Sequence, residues 1–596
     1  MPRTISTSAG LGVLIAALAG NATLAAEFSV SGFIRQETSL KLADAENPLT
    51  QQGNFFNGVE VPRDASFFAP ILGIPPEFLQ VPAVRGVESR DNSFNQIATR
   101  GEMDIQARFS DQLSGLMRVR GYVDWGLYKD FGDPNFFKTP FYGNRGSLLE
   151  IAGENYMFDL PALYLDYNNG PLWLRIGNQQ IAWGEAIFFR VLDVPNGLDL
   201  RRHLILDWAS EEYADERVPA PGVRGSYRVF GDWEIEGFAQ KFSPTILPPP
   251  NTPYSTIPAA FTVQEKAQFD AVDDSWNFGG RIQGQIGELG VQFIAVRRRN
   301  PDGVFRWARS GVNIDLPGVP GSGLVLQETP FSVDPVGGVV SAQEWFTYAA
   351  FVRLDGLQGL NAAIDDFQPF TGLIGAFNVG DSRFLGDQQL DLFFQLSGGL
   401  RGHIERLYPR ETVLGLGLNY VFFGAPGSLL DQLVVRFEGS YTPDKKFTNP
   451  TLGRQFIEDG EWAFFLALEK YQRFSQDFPA TFIILQWLHR SESDMFGRYL
   501  SGMGGTVDRL PTGDKSFNAL ALAIQQPFPN LIWRFDLAVL YDLKGGALIQ
   551  PALRWKPVDR WTVEAYVNII EGSGNDNIMT TLDWADEFGL RLSYLF

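Results

Sequence analysis

Over much of the chain, apolar and polar side chains alternate with a period of two. Trp533, Phe535, Leu537, Val539 and Tyr541 form one face of a run whose other face is Arg534, Asp536, Ala538, Leu540 and Asp542. Leu433, Val435, Phe437 and Tyr441 oppose Arg436 and Glu438 in the same way, and Trp561, Val563, Ala565, Val567 and Ile569 oppose Thr562, Glu564 and Asn568. The final residues repeat the pattern, with Phe588, Leu590, Leu592, Tyr594 and Phe596 against Gly589, Arg591, Ser593 and Leu595. A β-strand sends successive side chains to opposite faces, so each run predicts a strand with one greasy side. Aromatic residues sit at the ends of the greasy faces, where a lipid-facing strand needs them, while the charged neighbours point into a wet interior.

The same reading places strands near residues 27–40, 94–110, 112–128, 158–168, 170–182, 221–231, 232–245, 274–286 and 288–300. A second set falls near 411–424, 429–442, 461–475, 478–492, 516–530, 531–543, 545–556, 559–571 and 584–596. The predicted fold is all-β: a closed antiparallel transmembrane β-barrel of about 18 strands with long extracellular or lumen-filling insertions. Short turns alternate with longer connections, as in a barrel with periplasmic turns and external loops, and an even strand count keeps both termini on the periplasmic side. Phe588, Leu590, Leu592, Tyr594 and Phe596 resemble the C-terminal recognition signal read by the barrel assembly machinery. Pro551 lacks a ladder donor, which predicts a bulge or register break.

A barrel this wide is not filled by strand side chains alone. The long insertions at about 41–93, 183–220 and 301–410 are the segments that narrow it. Taking Glu344 to Arg353 as a strand makes the count odd, so 301–410 is read as one insertion. Within it, Leu357 to Phe370 has loosely helical spacing, which fits either a lumen helix or an external cap.

Arg3, the apolar run Leu11 to Ala19 and the small residues Thr23, Ala25 and Ala26 read as a signal peptide over residues 1–26, followed by one barrel domain over 27–596. There is no Cys, so burial and hydrogen bonding alone stabilise the exported chain. Aromatic content of 14 %, 62 Gly and only 45 % hydrophobic residues suit strands that are greasy on one side. The net charge of −20 argues against a nucleic-acid partner.

The richest local sequence runs from Gly177 and Gln179 through Trp183, Gly184 and Glu185 to Asn196 and Asp199, then Glu216, Pro219 and Pro221. Gln179, Trp183, Gly184, Glu185, Asn196 and Asp199 are the candidate lumen or gate residues, either as architecture at a strand end or as ligand contacts on a rigid scaffold. The stretch resembles a Gram-negative outer-membrane family, domain of unknown function 1302. It departs from that pattern between Phe188 and Asp193, and the likeness extends to the strand around Gly32 and the last strand. The resemblance implies a companion periplasmic protein, an inner-membrane transporter of the resistance, nodulation and division class, and a pathway for hydrophobic compounds or lipids.

Arg297, Arg298 and Arg299 end a strand at the predicted outer surface, where they either bind lipopolysaccharide phosphates or form a charged rim. Asp270, Asp273 and Asp274, and Asp576 between Asn575 and Asn577, supply oxygen ligands without calcium-loop spacing. His203, His403 and His489 have no zinc spacing, and no nucleophile elbow occurs. Thr512 to Ser516 lacks the glycine spacing of a phosphate loop and reads as an external turn. No cofactor or catalytic set is expected. The first functional reading is a channel or gated conduit for a hydrophobic or amphipathic small molecule or lipid in the outer membrane. The alternatives are a surface receptor or assembly scaffold, and an ordinary diffusion porin.

Overall fold

The computed structural model describes residues 26–86, 93–125, 146–153, 155–185, 188–201, 217–248, 252–500, 516–574, 577 and 579–596. The signal-peptide reading, His203, Glu216, Asn575, Asp576 and Thr512 to Lys515 lie outside the described residues.

Nineteen strands share one sheet, and one of them, Glu150–Ala152, only pairs with the strand Tyr156–Asn169, leaving 18 around a closed ring. In chain order these are β1 (Glu27–Lys41), β2 (Phe94–Arg108), β3 (Leu113–Asp124), β4 (Tyr156–Asn169), β5 (Leu172–Gln179), β6 (Ala220–Phe230), β7 (Trp233–Lys241), β8 (Trp276–Ile286) and β9 (Leu289–Arg299). The second half comprises β10 (Arg410–Val421), β11 (Val434–Phe447), β12 (Ile457–Gln472), β13 (Thr481–Arg490), β14 (Phe517–Pro527), β15 (Trp533–Asp542), β16 (Gly546–Val558), β17 (Trp561–Gly572) and β18 (Glu587–Leu595). Each predicted strand has its counterpart. The ring closes through antiparallel pairing of β1 with β18, from Phe33 opposite Leu595 to Lys41 opposite Glu587. Phe596 and Gly32 exchange backbone hydrogen bonds of 3.0 and 3.1 Å, so the chain end is stitched into the wall. Closure removes both sheet edges, the condition for crossing lipid with strands. Among the described residues no helix is long and apolar enough to span a membrane, which leaves a strand-built span untouched.

The outer face carries an apolar band between two aromatic girdles. At the turn end Trp533 stacks on Trp555 at 5.5 Å and Trp561 meets Tyr594 at 5.1 Å. At the loop end Tyr441 stacks on Trp462 at 4.3 Å. Trp and Tyr prefer the two membrane interfaces, so the girdles mark the edges of the bilayer. This is a closed antiparallel β-barrel with the outer face of a membrane-spanning one.

Pro551 corrects one expectation. It faces outward, pairs with Leu537, and breaks no register: Ile549 opposite Ile569 and Ala552 opposite Tyr566 lie on one continuous alignment. Directly inside this gap Gln550 Nε2 donates to Asn568 Oδ1 at 2.6 Å, a side-chain tie across the two strands. The shift falls later, between Trp555 and Val558.

The loop end is covered by a second layer. In the insertion between β9 and β10, α1 (Ala342–Phe351), α2 (Gly356–Asp365) and α3 (Arg383–Ser397) pack on a small sheet of Val304–Trp307, Phe331–Val333, Leu400–Leu407 and, from the β7–β8 connection, Phe261–Gln264. Glu344 to Phe351 is therefore helix rather than strand, and Val352 and Arg353 turn out of it. Ser341 caps α1 by accepting the Glu344 N–H at 3.1 Å, half of a capping box. Trp307, Trp345, Leu360 and Phe394 form a core with other insertion residues, Ala260 and Val263 of the β7–β8 connection, and Leu452. Residues 42–86 join through Leu49, Phe56 and Val61 on Tyr348, and through the buried Arg85–Glu344 ion pair at 2.9 Å. The layer rests on barrel loops, with the Asp355 N–H donating to the Pro450 carbonyl and Arg353 to that of Asn577. Of the two settings that fitted the Leu357 to Phe370 spacing, the structure has the cap.

Candidate functional site

The wall strand β5 stops at Gln179, and the chain turns into the barrel instead of climbing out of it. Three amides close the neck of this inward excursion. Asn196 Oδ1 accepts the Ile181 N–H at 2.7 Å while its Nδ2 donates to the Val218 carbonyl at 2.9 Å. Gln240 Nε2 donates to the carbonyls of Gln179 and Ala220, and Gln179 Nε2 donates to that of Gly222. Asp199 accepts from Arg201, whose guanidinium also meets Glu150 at 2.6 and 2.7 Å. That ties the excursion to the short strand beside β4.

Inside, each step of the segment is pinned to a different wall strand. Trp183 is buried, donates from Nε1 to Glu236 of β7 at 2.9 Å, and packs edge-on against Phe238 at 5.2 Å. Glu236 also receives Arg224 and Arg281, so the indole nitrogen joins a cluster of one carboxylate and two guanidinium groups. Gly184 suits a crowded site, since a Cβ there would meet the Asp193 backbone nitrogen at 3.0 Å. Glu185 pairs with Arg436 of β11 at 2.6 Å, and Arg436 continues to Glu469 of β12 at 2.8 Å. Glu438 of β11 accepts the backbone N–H groups of both Glu185 and Leu192, the second at 3.1 Å. Gln486 of β13 accepts the Phe188 N–H at 3.2 Å. Leu192 fits where Gly415 lacks a side chain, since a Cβ on Gly415 meets the Leu192 Cδ2 at 2.4 Å. The segment thus crosses the inner wall from β7 to β13.

The wall it crosses has two characters. From β2 to β8 the inward positions carry arginine–carboxylate pairs: Arg118–Asp104, Arg120–Asp159, Arg175–Asp166 and the Glu236 cluster. From β12 to β17 the loop-side half of the inner face is mostly apolar, with Phe465, Ala467, Ile484, Leu488, Ala519, Ala521, Ala538, Leu540 and Ile570 buried with Phe188, Phe189 and Leu192 in one cluster, interrupted by Gln486, Asp542, Gln550 and Asn568. A lumen built only to hold water has polar inward positions, so this half departs from a simple porin wall.

Gln179, Trp183, Gly184, Glu185, Asn196 and Asp199 therefore gather at the excursion, at its neck or along its path. Arg297, Arg298 and Arg299 do not gather, because strand alternation divides them. Arg298 points into the barrel, where it pairs with Glu411 at 2.7 Å and donates to the Val194 carbonyl; it belongs to the excursion and not to an outer-surface cluster. Arg297 and Arg299 face outward. Phe588, Leu590, Leu592 and Phe596 lie on the lipid face with the half-buried Tyr594. Asp270, Asp273 and Asp274 line a surface depression, and among the described residues no acidic or histidine group has the geometry of a metal site. Glu236, Gln486 and Gln240 were not singled out from sequence, and Arg436 and Glu438 were read only as the wet face of a strand. Their signal was a charged or amide residue at an inward position of an otherwise greasy strand.

No curated protein matches the sequence. Among solved structures, the chain is similar to OccAB3 and OccAB1 of Acinetobacter baumannii and OccK3 (OpdO) of Pseudomonas aeruginosa. OccAB3 shares 8 % identity with a TM-score of 0.39, covering 96 % of this chain and 99 % of its own. OccAB1 and OccK3 each share 7 % identity with a TM-score of 0.40, covering 96 % of both chains. Likeness at this level carries no argument about what passes through the barrel. The family model described as "Protein of unknown function (DUF1302)" matches residues 97–596, and with most of the chain covered the protein belongs to that family.

Proposed function

We propose that the protein is a gated outer-membrane conduit for a hydrophobic or amphipathic small molecule or lipid, and that the segment from Gln180 to Asp199 is its gate. The observation that carries this reading is the apolar inner wall of β12–β17 buried beneath Phe188, Phe189 and Leu192. Displacing the segment uncovers an apolar surface on one side and the arginine–carboxylate ladder on the other. An amphipathic molecule matches both, whereas a hydrated ion gains nothing from the first. The cap above and the companion periplasmic protein and inner-membrane transporter suggested by the family resemblance then stand at the two ends of one route. No enzymatic role enters this reading.

The test is reconstitution in planar bilayers together with extraction of bound small molecules. A conduit of this kind shows little steady ion conductance while closed and carries an amphipathic compound through purification, identifiable by mass spectrometry. Large steady conductance with no bound compound supports a diffusion porin instead. A silent protein with no bound compound, whose loss leaves cargo movement intact, supports the receptor or scaffold reading.

A further inference from the structure

The outward residues of β8, β9 and β10 change character together as they approach the loop end. On β9 the lipid face reads Phe293, Ala295, Arg297, Arg299, and on β10 it reads Leu416, Leu414, Thr412, Arg410. On β8 it ends with Phe278 and Trp276, both exposed. Register aligns Phe278, Arg297 and Thr412 in one row, where Arg297 donates to Thr412 Oγ1 at 2.7 Å. In the next row Arg299 stands beside Arg410, two like charges side by side at the rim. Like charges in adjacent positions repel unless an anion lies between them. Arg297, Arg299 and Arg410 form no ion pair with a carboxylate among the described residues. Arg299 is instead held in place by Ser275 Oγ and the Tyr408 carbonyl, each at 2.8 Å. Arg410, Trp276 and Phe278 also line a depression of about 410 Å³, shared with Asp270, Asp273 and Asp274 on its far loop.

We propose that this rim binds the phosphorylated headgroup of an outer-leaflet glycolipid, with Arg297, Arg299 and Arg410 meeting phosphate and Trp276 and Phe278 meeting the first carbons of the acyl chains. The short turns place the opposite end in the periplasm, so the rim lies at the external interface. The guanidinium fork matches phosphate oxygens in pairs, and the apolar band directly below suits the chains. The carboxylates on the loop side disfavour a bare anion within the depression and direct the phosphate to the arginine side.

The test compares the intact protein with the double variant Arg297→Gln, Arg410→Gln, neither of which touches the excursion. Each is placed in nanodiscs doped with lipid A, with lipid A stripped of its phosphates, or with neither, and lipid retention is read by native mass spectrometry. The intact protein retains lipid A, and the variant retains about tenfold less or weaker still while keeping heat-modifiable migration. Arg298→Gln, which faces the lumen, retains lipid A as the intact protein does. Equal retention by the double variant, equal retention of the stripped lipid, or displacement by millimolar inorganic phosphate overturns the proposal.

Discussion

Replacing Glu438 by Ala removes the one carboxylate that holds two points of the inward segment. Its oxygens accept the N–H groups of Glu185 and Leu192, which flank the apolar stretch lying on the inner wall. A hydrogen bond to a charged acceptor contributes about 1.5–3 kcal/mol. Burial of the carboxylate offsets part of the gain, so the lower figure applies to each, or about 3 kcal/mol for the pair. At 1.4 kcal/mol per decade, the displaced population of the segment rises by about 150-fold. Glu438→Gln keeps one carbonyl acceptor, so its effect is about tenfold. Single-channel recording reads this as the frequency of open events, with heat-modifiable migration confirming that the barrel still closes. Unchanged open frequency in a correctly folded Glu438→Ala protein would falsify the gate assignment. An equal rise in Glu438→Ala and in Glu438→Gln would refute the two-point clamp while keeping a gate.

Four other outcomes follow from the same geometry. A Cβ on Gly32 meets the Glu102 carbonyl oxygen at 2.2 Å and the Phe596 ring at 2.6 Å, so Gly32→Val blocks the β1–β18 seam, seen as loss of heat-modifiable migration; normal migration sinks the argument. Removing Arg85 leaves Glu344 buried without its partner, at a cost of about 3–5 kcal/mol, and Arg85→Ala should expose residues 42–86 to protease without altering the barrel. In the cap, burial pushes His403 down to about 3 and Asp391 up to about 6. The lowered imidazole gives stability that is complete above about 6.5 and drains as pH falls towards 3. The raised carboxyl gives stability that is complete below about 3.9 and is lost as pH climbs through 6. The two oppose, so protease resistance of the cap changes little between pH 7 and 5. His403→Gln should make the cap firmer on acidification and Asp391→Asn should make it weaker; identical profiles in both variants would contradict these environments.

The strands were legible because the outer faces obey one rule imposed by lipid, and Trp533 to Tyr541 or Phe588 to Phe596 state it without ambiguity. The contents of the lumen were harder to read. In β14 the run Ala519, Leu520, Ala521, Leu522, Ala523, Ile524 is apolar on both faces, and β13 does the same from Phe482 to Leu485. Period-two reading registers such strands as weaker examples of the pattern. Physically they say something stronger: if one side meets lipid, the other meets a dry interior. The partner of that dry face was also in view, since Phe188, Phe189, Val191 and Leu192 form an apolar run within the connection. It lay where the family pattern could not be aligned, and helical spacing elsewhere drew attention to the cap.

The arginine triplet shows why strand context must precede any inference from a charge run. Three consecutive cations on a loop form one patch, but on β9 they are split by the pleat, with Arg298 inside and Arg297 and Arg299 outside. The inner one meets Glu411 and the Val194 carbonyl and so steadies the end of the gate segment. The outer two gain Arg410, which pairs directly with Arg299 although it lies far along the chain, because the 300–409 cap returns the chain beside its own starting strand. A long insertion therefore does more than cover the mouth: by bringing β10 back next to β9 it assembles the rim arginines, so deleting 301–407 while keeping Tyr408, whose carbonyl holds Arg299, should preserve lipid A retention while changing what enters the barrel.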